Sequence, residues 1–201
     1  MTSESRYPVD DLRRYIQVFD NALPDDFCDQ MVQSFNHMAR FHVRNGRGYR
    51  QGLEESGWTE LDITPLTDAG FQGFFFKQID DYLARYNQAL GLTIPVPPTS
   101  RFAELRIKRY ASDGTDGFQP HFDSINQVAN RYLVFLWYLN DVEEGGETQF
   151  VDLDVKVPAR KGRLLVFPPY WMYQHAGLPP RSSDKYIIST YLLFPDQSVN
   201  R

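Results

Sequence analysis

A histidine and an aspartate two positions apart, His121 and Asp123, are followed much later by His175 and then by Lys185. Two imidazoles and one carboxylate can hold a divalent iron on one face and leave open positions on the other, a donor set suited to oxygen chemistry. Zinc accepts the same ligands and is the rival metal. A lysine placed beyond the second histidine can hold the far carboxylate of an acidic co-substrate. On a strand, His121 and Asp123 would share a face about 6.6 Å apart along the chain, with Phe122 turned into packing. A lone His-x-Asp carries little weight: His121 could be a surface histidine paired with Asp123, and His175 a capped loop residue. His37 and His42 show no such spacing and read as structural or surface groups.

These side chains can act together only if strands bring them to one place. The pattern from Arg101 onward is that of strands. Residues 102–110 alternate, with Ala103, Leu105 and Ile107 on one face and Glu104, Arg106, Lys108 and Tyr110 on the other. A loop then leads to the strand carrying His121. Residues 131–139 are apolar on both faces, as in a strand covered on both sides. Asn140 to Gly146 is a turn in which Gly145-Gly146 lets the chain reverse. Residues 163–167 and 185–194 read as further strands. Before residue 100 the signals are helical. Residues 14–20 suggest a first strand; Pro24, Asp25 and Asp26 then mark a helix start, followed by Phe27, Met31, Val32 and Phe35 at helical spacing. Phe76, Ile79, Leu83, Tyr86 and Leu90 mark a second helix, ended by Gly91. Residues 42–70 read as irregular, lid-like loop, and Pro95 to Pro98 as a stiff connector. The fold class expected is mainly β with N-terminal helices (α+β): a double-sheet jelly roll buttressed by two or more helices. The 201 residues suffice for one domain, expected as helical support over about 1–100 and a jelly-roll core over about 101–194.

Composition narrows the function classes. The net charge of -5 comes without any basic block, so the usual nucleic-acid footprint is missing and no such partner is expected. Arg160-Lys161-Gly162-Arg163 reads as a solvated turn. The single cysteine, Cys28, excludes an internal disulfide and is expected buried and inert. The polar opening from Met1 to Asp11 has no apolar signal core, and no apolar run approaches a membrane span, so a cytoplasmic location is expected. The tail from Pro195 to Arg201 is expected to fray.

The residues and their order resemble the iron- and 2-oxoglutarate-dependent dioxygenase superfamily, and its prolyl 4-hydroxylase branch in particular. The resemblance is carried by RYASDGTDGFQPHFDS (109–124), YLNDVEEGGETQF (138–150), KGRLLVFPP (161–169), His175-Ala176-Gly177 and KYIISTYLLF (185–194), with VFDNALPDDFCDQMV matching the branch's opening. It implies a double-stranded β-helix holding Fe(II) through His121, Asp123 and His175. It implies 2-oxoglutarate and O2 as co-substrates, with Lys185 on the far carboxylate where many relatives use arginine. Ascorbate is a further expectation, its requirement left open. Tyr110 and Tyr138 stand where relatives place tyrosines around the co-substrate. Ser189 shares the face of Lys185 and could add a hydrogen bond. The activity implied is hydroxylation of an unactivated C–H bond, with release of succinate and CO2, on a prolyl residue of a peptide or protein. Iron halogenases of the superfamily vacate the carboxylate position; Asp123 keeps it, which favours hydroxylation.

Alternatives stay open at this point. Lys185 could be a solvated lysine opening a strand; Tyr110 and Tyr138 could be core tyrosines; Ser189 could be packing, and Trp137 and Trp171 core or pocket wall. The substrate could be a free amino acid or another small metabolite, which needs a closed pocket where a peptide needs a groove. A zinc hydrolase and a non-catalytic jelly-roll binding module are the readings from other classes.

Overall fold

Two stretches with apolar residues at helical spacing become the two long helices, α1 (Asp25–His37) and α2 (Ala69–Leu90), of the computed structural model, which describes residues 11–195. The polar opening before Asp11 and the tail from Asp196 lie outside the described residues. Pro24 caps α1, and Asp25 and Asp26 occupy its positive end. Asp68 caps α2 by accepting from the amide of Phe71, and Gly91 ends it in the left-handed conformation. The buried stripe of α2 runs through Phe75, Ile79, Leu83, Tyr86 and Leu90; Phe76, expected on it, is 41% exposed, and Phe75 takes its place.

Eleven strands are described: β1 (Gln17–Phe19), β2 (Val43–Gly46), β3 (Gly57–Asp62), β4 (Arg106–Tyr110), β5 (Phe118–His121), β6 (Arg131–Tyr138), β7 (Thr148–Phe150), β8 (Val155–Val157), β9 (Leu164–Phe167), β10 (His175–Gly177) and β11 (Lys185–Leu193). Seven form one antiparallel sheet in the order β1-β9-β6-β11-β4-β3-β2, and four form a second in the order β5-β10-β7-β8. This is the expected jelly roll.

The alternation of side chains along the strands builds two cores from the large sheet. On β6, Leu133, Phe135 and Trp137 face the helices and join Cys28, Met31, Phe35, Phe75 and Ile79. Val134, Leu136 and Tyr138 face the small sheet and join Phe150, Leu165, Phe167 and Ile187. Burial on both faces explains the uninterrupted apolar run.

Three expectations are corrected. Residues 42–70 are not irregular loop: β2 and β3 form a hairpin that pairs through β3 onto β4, with Trp58 and Leu61 buried. With β1, they bring strands from before residue 100 into the large sheet, so the split into helices before that point and strands after it does not hold. Trp171 is 64% exposed, neither core nor pocket wall. Cys28 is buried as expected, and burial pushes its thiol up to about 11. No helix among the described residues is long and apolar enough to cross a membrane.

Candidate active site

The cross-strand pairing of β5 with β10 sets His121 directly opposite His175, with ring centroids 4.3 Å apart. Asp123 is not on the strand. It lies past the end of β5, where its amide and that of Ser124 both donate to the carbonyl of Pro169, at 2.9 and 3.0 Å. The expected sharing of one strand face is therefore replaced by a pinned bend that turns the carboxylate back toward the imidazoles. Asp123 Oδ1 is 3.5 Å from His121 Nε2, and Oδ2 is 3.4 Å from His175 Nε2. One donor atom from each residue falls within a 4.8 Å cluster.

The other ring nitrogens are tied back. His121 Nδ1 donates to the carbonyl of Gln119 at 2.8 Å, and His175 Nδ1 to that of Tyr173 at 3.1 Å. This fixes the tautomer that presents an Nε2 lone pair to the cluster. Burial, with the His121 ring beside it, lowers His175 to about 4, so its imidazole is neutral at pH 7. Burial opposes the ionisation of Asp123, but its contact with His121, and then the influence of His175 and Lys108, outweigh it and hold the carboxyl well below its usual range. Tyr191 donates its hydroxyl to Asp123 Oδ1 at 3.2 Å, Phe118 stacks on His121 at 3.9 Å, and Phe167 sets its edge on His175 at 4.8 Å.

A cavity of about 40 Å³ runs from this cluster to Lys185. The floor is the inward face of β4 and β11, where Lys185 pairs with Tyr110, Ile187 with Lys108 and Ser189 with Arg106. Lys185 is only 2% exposed. Its ammonium donates to the carbonyl of Gly146 at 3.0 Å and lies 4.5 Å from the centre of the Tyr110 ring. Burial lowers it to about 7, with Lys108 adding repulsion and Glu147 opposing both. The Gly145-Gly146 turn makes this contact possible: Gly145 has φ 72°, and a Cβ there would sit 2.3 Å from the carbonyl oxygen of Pro179.

Tyr110 lines the cavity, and burial keeps its phenol neutral by pushing its pKa far above the usual value. Ser189 also lines it, its hydroxyl making no hydrogen bond among the described residues. Tyr138 lies behind the wall, donating to Thr148 Oγ1 at 2.7 Å, and Thr148 reaches the cavity instead. The sequence pattern assigns no site role to Thr148, Phe118, Tyr191 or Lys108. Tyr191 follows Ser189 on the same strand face, and Lys108 precedes Tyr110 on another, so the period of two held the signal for both.

A second cavity, of about 280 Å³, opens beside the first under the β2–β3 hairpin. Asn45, Tyr49, Arg50 and Trp58 line it from the hairpin, and Lys108, Asp123, Ser189 and Tyr191 are shared with the first cavity.

The family model described as the 2OG-Fe(II) oxygenase superfamily matches residues 105–193. Over 174 residues, 85% of this chain, the protein is 23% identical to a multifunctional procollagen lysine hydroxylase and glycosyltransferase of Rattus norvegicus. Over 119 residues, 55% of the chain, it is 29% identical to the prolyl 4-hydroxylase subunit alpha-2 of Gallus gallus. The matched regions are 22% and 18% of those proteins, so this chain spans about a fifth of their length. Among solved structures, it is similar to a Trichoplax adhaerens prolyl hydroxylase in complex with a hypoxia inducible factor peptide fragment. That likeness has a TM-score of 0.69 at 18% identity, covering 90% of this chain and 84% of the other, and it concerns the fold. The family takes Fe(II), 2-oxoglutarate and O2. The donor set fits the metal: two lone-pair nitrogens with fixed tautomers and one ionised carboxylate converge. The charge pattern of the lining suits a diacid, with one buried ammonium at the end away from the cluster.

Proposed function

We propose, from the premise that residues 105–193 are a 2OG-Fe(II) oxygenase domain, that the protein is a dioxygenase hydroxylating a prolyl residue in a peptide or protein. One observation carries the site assignment: His121, Asp123 and His175 converge at one end of a cavity whose other end is the buried Lys185. Prolyl hydroxylases among the similar folds, and a second cavity large enough for a side chain beside the cluster, support the substrate class.

His121, Asp123 and His175 would hold the iron, and with 2-oxoglutarate and O2 it would supply the oxidant that converts an unactivated C–H bond to an alcohol, releasing succinate and CO2. The protein's part is positioning. The carbonyls of Gln119 and Tyr173 hold both imidazoles in the ligating tautomer. Tyr191 steadies the Asp123 carboxylate from the strand face opposite. Lys185, anchored on Gly146, takes the far carboxylate of the co-substrate as a point charge, and Tyr110 offers the phenol beside it. Phe118, Phe167, Leu136, Val134 and Ile187 keep the walls apolar and exclude water from the reacting centre.

The test is mass spectrometry of proline-containing peptides incubated with the protein, Fe(II), 2-oxoglutarate and air. A gain of one oxygen atom on proline, lost in Asp123→Ala, is the expected result. Stoichiometric succinate with no peptide gaining oxygen would move the substrate to a free amino acid or other small metabolite. Absence of succinate under every condition would remove the catalytic assignment.

A further inference from the structure

We infer that the substrate presents a carboxylate to Lys108 and Arg131, on the side of the metal-binding cluster away from Lys185. The inference deepens the hydroxylase reading of the preceding subsection and rests on it.

Alternation along β4 turns Arg106, Lys108 and Tyr110 to the same inward face, and the register with β11 fixes which end each occupies. Tyr110 sits in the Lys185 row. Lys108 is one row on, against Ile187, and Arg106 one row further, against Ser189. Lys108 therefore borders both cavities, whereas Arg131 and Arg50 line only the larger one under the hairpin.

The acidic groups around that larger cavity already have partners. Glu60 accepts from Arg106 at 2.6 Å and from Trp58 Nε1 at 2.8 Å. Glu104 is 3.8 Å from the same Arg106. Asp123 faces the two imidazoles. What remains is cationic. Among the described residues, the Lys108 ammonium makes no hydrogen bond and no ion pair, although the residue is half-buried. The Arg131 guanidinium carbon sits over the Tyr191 ring, 3.8 Å from its centre, and its hydrogen bond among the described residues goes to the backbone carbonyl of Asp123, at 3.4 Å. An ammonium drawn from water with no counter-charge in direct contact, only Asp123 and Glu60 acting on it from a distance, is unfavourable, and an anion entering the cavity removes that penalty. A divalent cation held by the cluster would add positive charge and sharpen the demand.

The co-substrate does not meet it. A keto-diacid has two carboxylates; the far one belongs to Lys185 and the other, beside the keto group, to the metal. The remaining cations fall to the other reactant. Its carboxylate has three possible sources with the same chemistry: a free amino acid's own acid, a peptide C-terminus after proline, or an Asp or Glu next to proline.

The experiment uses matched pairs, each differing in one charge: L-proline against L-prolinamide, a peptide ending in proline against its amide, and a Glu-Pro peptide against Gln-Pro. Binding to the full chain is measured by calorimetry with Mn(II) and an unreactive 2-oxoglutarate analogue, and hydroxylation by mass spectrometry. In one pair, the acid is expected to bind about tenfold tighter than its neutral partner, the size of one charge-assisted contact. Lys108→Met brings the two together, while Lys108→Arg retains most of the preference. That pair identifies the source. No preference in any pair overturns the proposal, as does a preference that survives Lys108→Met. It is equally overturned if Lys108→Met weakens 2-oxoglutarate binding and leaves the preference intact, which would make Lys108 a co-substrate contact. A Lys108-dependent preference in binding, with no proline in the panel oxidised, supports the carboxylate site and defeats prolyl hydroxylation instead.

Discussion

The two faces of the large sheet share their strands and both carry buried apolar residues, but they differ in where charge is placed. Toward the helices, β6 and β11 present Leu133, Phe135, Trp137, Ile188 and Leu192, with the buried Thr190 hydroxyl bonded to the carbonyl of Ala103. Toward the small sheet, β4 and β11 present Lys108, Tyr110, Lys185, Ser189 and Tyr191 around a space that side chains do not fill. One face is packed for stability. The other holds charge out of water beside a gap, an unfavourable arrangement unless ligands complete it. Alternation lets one strand serve both without compromise, because adjacent residues never look the same way.

The strongest way to break that contrast is to mutate across it. His175→Ala is expected to abolish succinate formation while leaving the fold intact, read by circular dichroism and a succinate assay; retained turnover would end the ligand assignment. Phe135→Ala should do the reverse, losing about 3–5 kcal/mol in denaturant unfolding because it leaves a cavity in a fully packed layer. Its turnover per folded molecule should be close to normal. If Phe135→Ala were harmless and His175→Ala unfolded the chain, the division of the faces would be reversed.

Lys185→Met sharpens the comparison. It should weaken 2-oxoglutarate binding by roughly 10–100-fold, the loss of one buried contact to a charged group. It should also raise the melting temperature of the ligand-free protein, since it removes a buried ammonium. A fall in both would mean that Lys185 is structural.

The same charge can be removed by pH. Lys185 in the free protein titrates near 7, lowered by burial, so above that pH a growing fraction has lost the charge the co-substrate needs. Affinity should fall as pH rises from 7 toward 9, by about tenfold per unit. Lys185→Arg should show no such slope because guanidinium stays charged. The ligand-free fold should move the other way. Between the lowered value near 7 and the ordinary 10.5, the unfolded chain binds more protons, so stability rises with pH through that window.

The smallest effect tests a residue the sequence placed at the co-substrate. Tyr138→Phe removes only the hydrogen bond to Thr148, and about 1 kcal/mol of stability is the expected loss. A loss of 2-oxoglutarate affinity as large as that in Lys185→Met would return Tyr138 to the cavity wall.

Legibility divided along the same line. His121, Asp123, His175 and Lys185 could be picked out because their chemistry is rare and their order informative, and the structure gathers them around one space. The apolar runs of α1, α2, β6 and β11 were legible because periodicity reports burial directly. The hairpin was not. β2 and β3 are short and begin or end in Gly46 and Gly57, with arginines and glycines at the tip, and their burial depends on β4, far off in the chain. The strand of His175 is three residues long, too short for any period to register. Tyr138 shows the limit of position alone: its place on β6 was read correctly, but its hydroxyl is taken by a threonine ten residues on.

The hairpin is clasped to the strand of His121 at several points, among them Gly52, Glu55 and Ser56, which all hydrogen-bond Gln119. Arg44 pairs with the buried Asp116, and Gly57 exchanges backbone hydrogen bonds with Gly117, at the root of the strand that ends in His121. The far end, around Tyr49 and Arg50, overhangs the larger cavity and is exposed. Anchorage falls to Arg44, Gly52, Ser56 and Gly57, and the exposed side chains of Tyr49 and Arg50 stand apart from it. Natural drift or a laboratory library confined to those two positions can change what is admitted without disturbing the register of the reacting centre, which makes this overhang the place to retune the catalyst for a new guest.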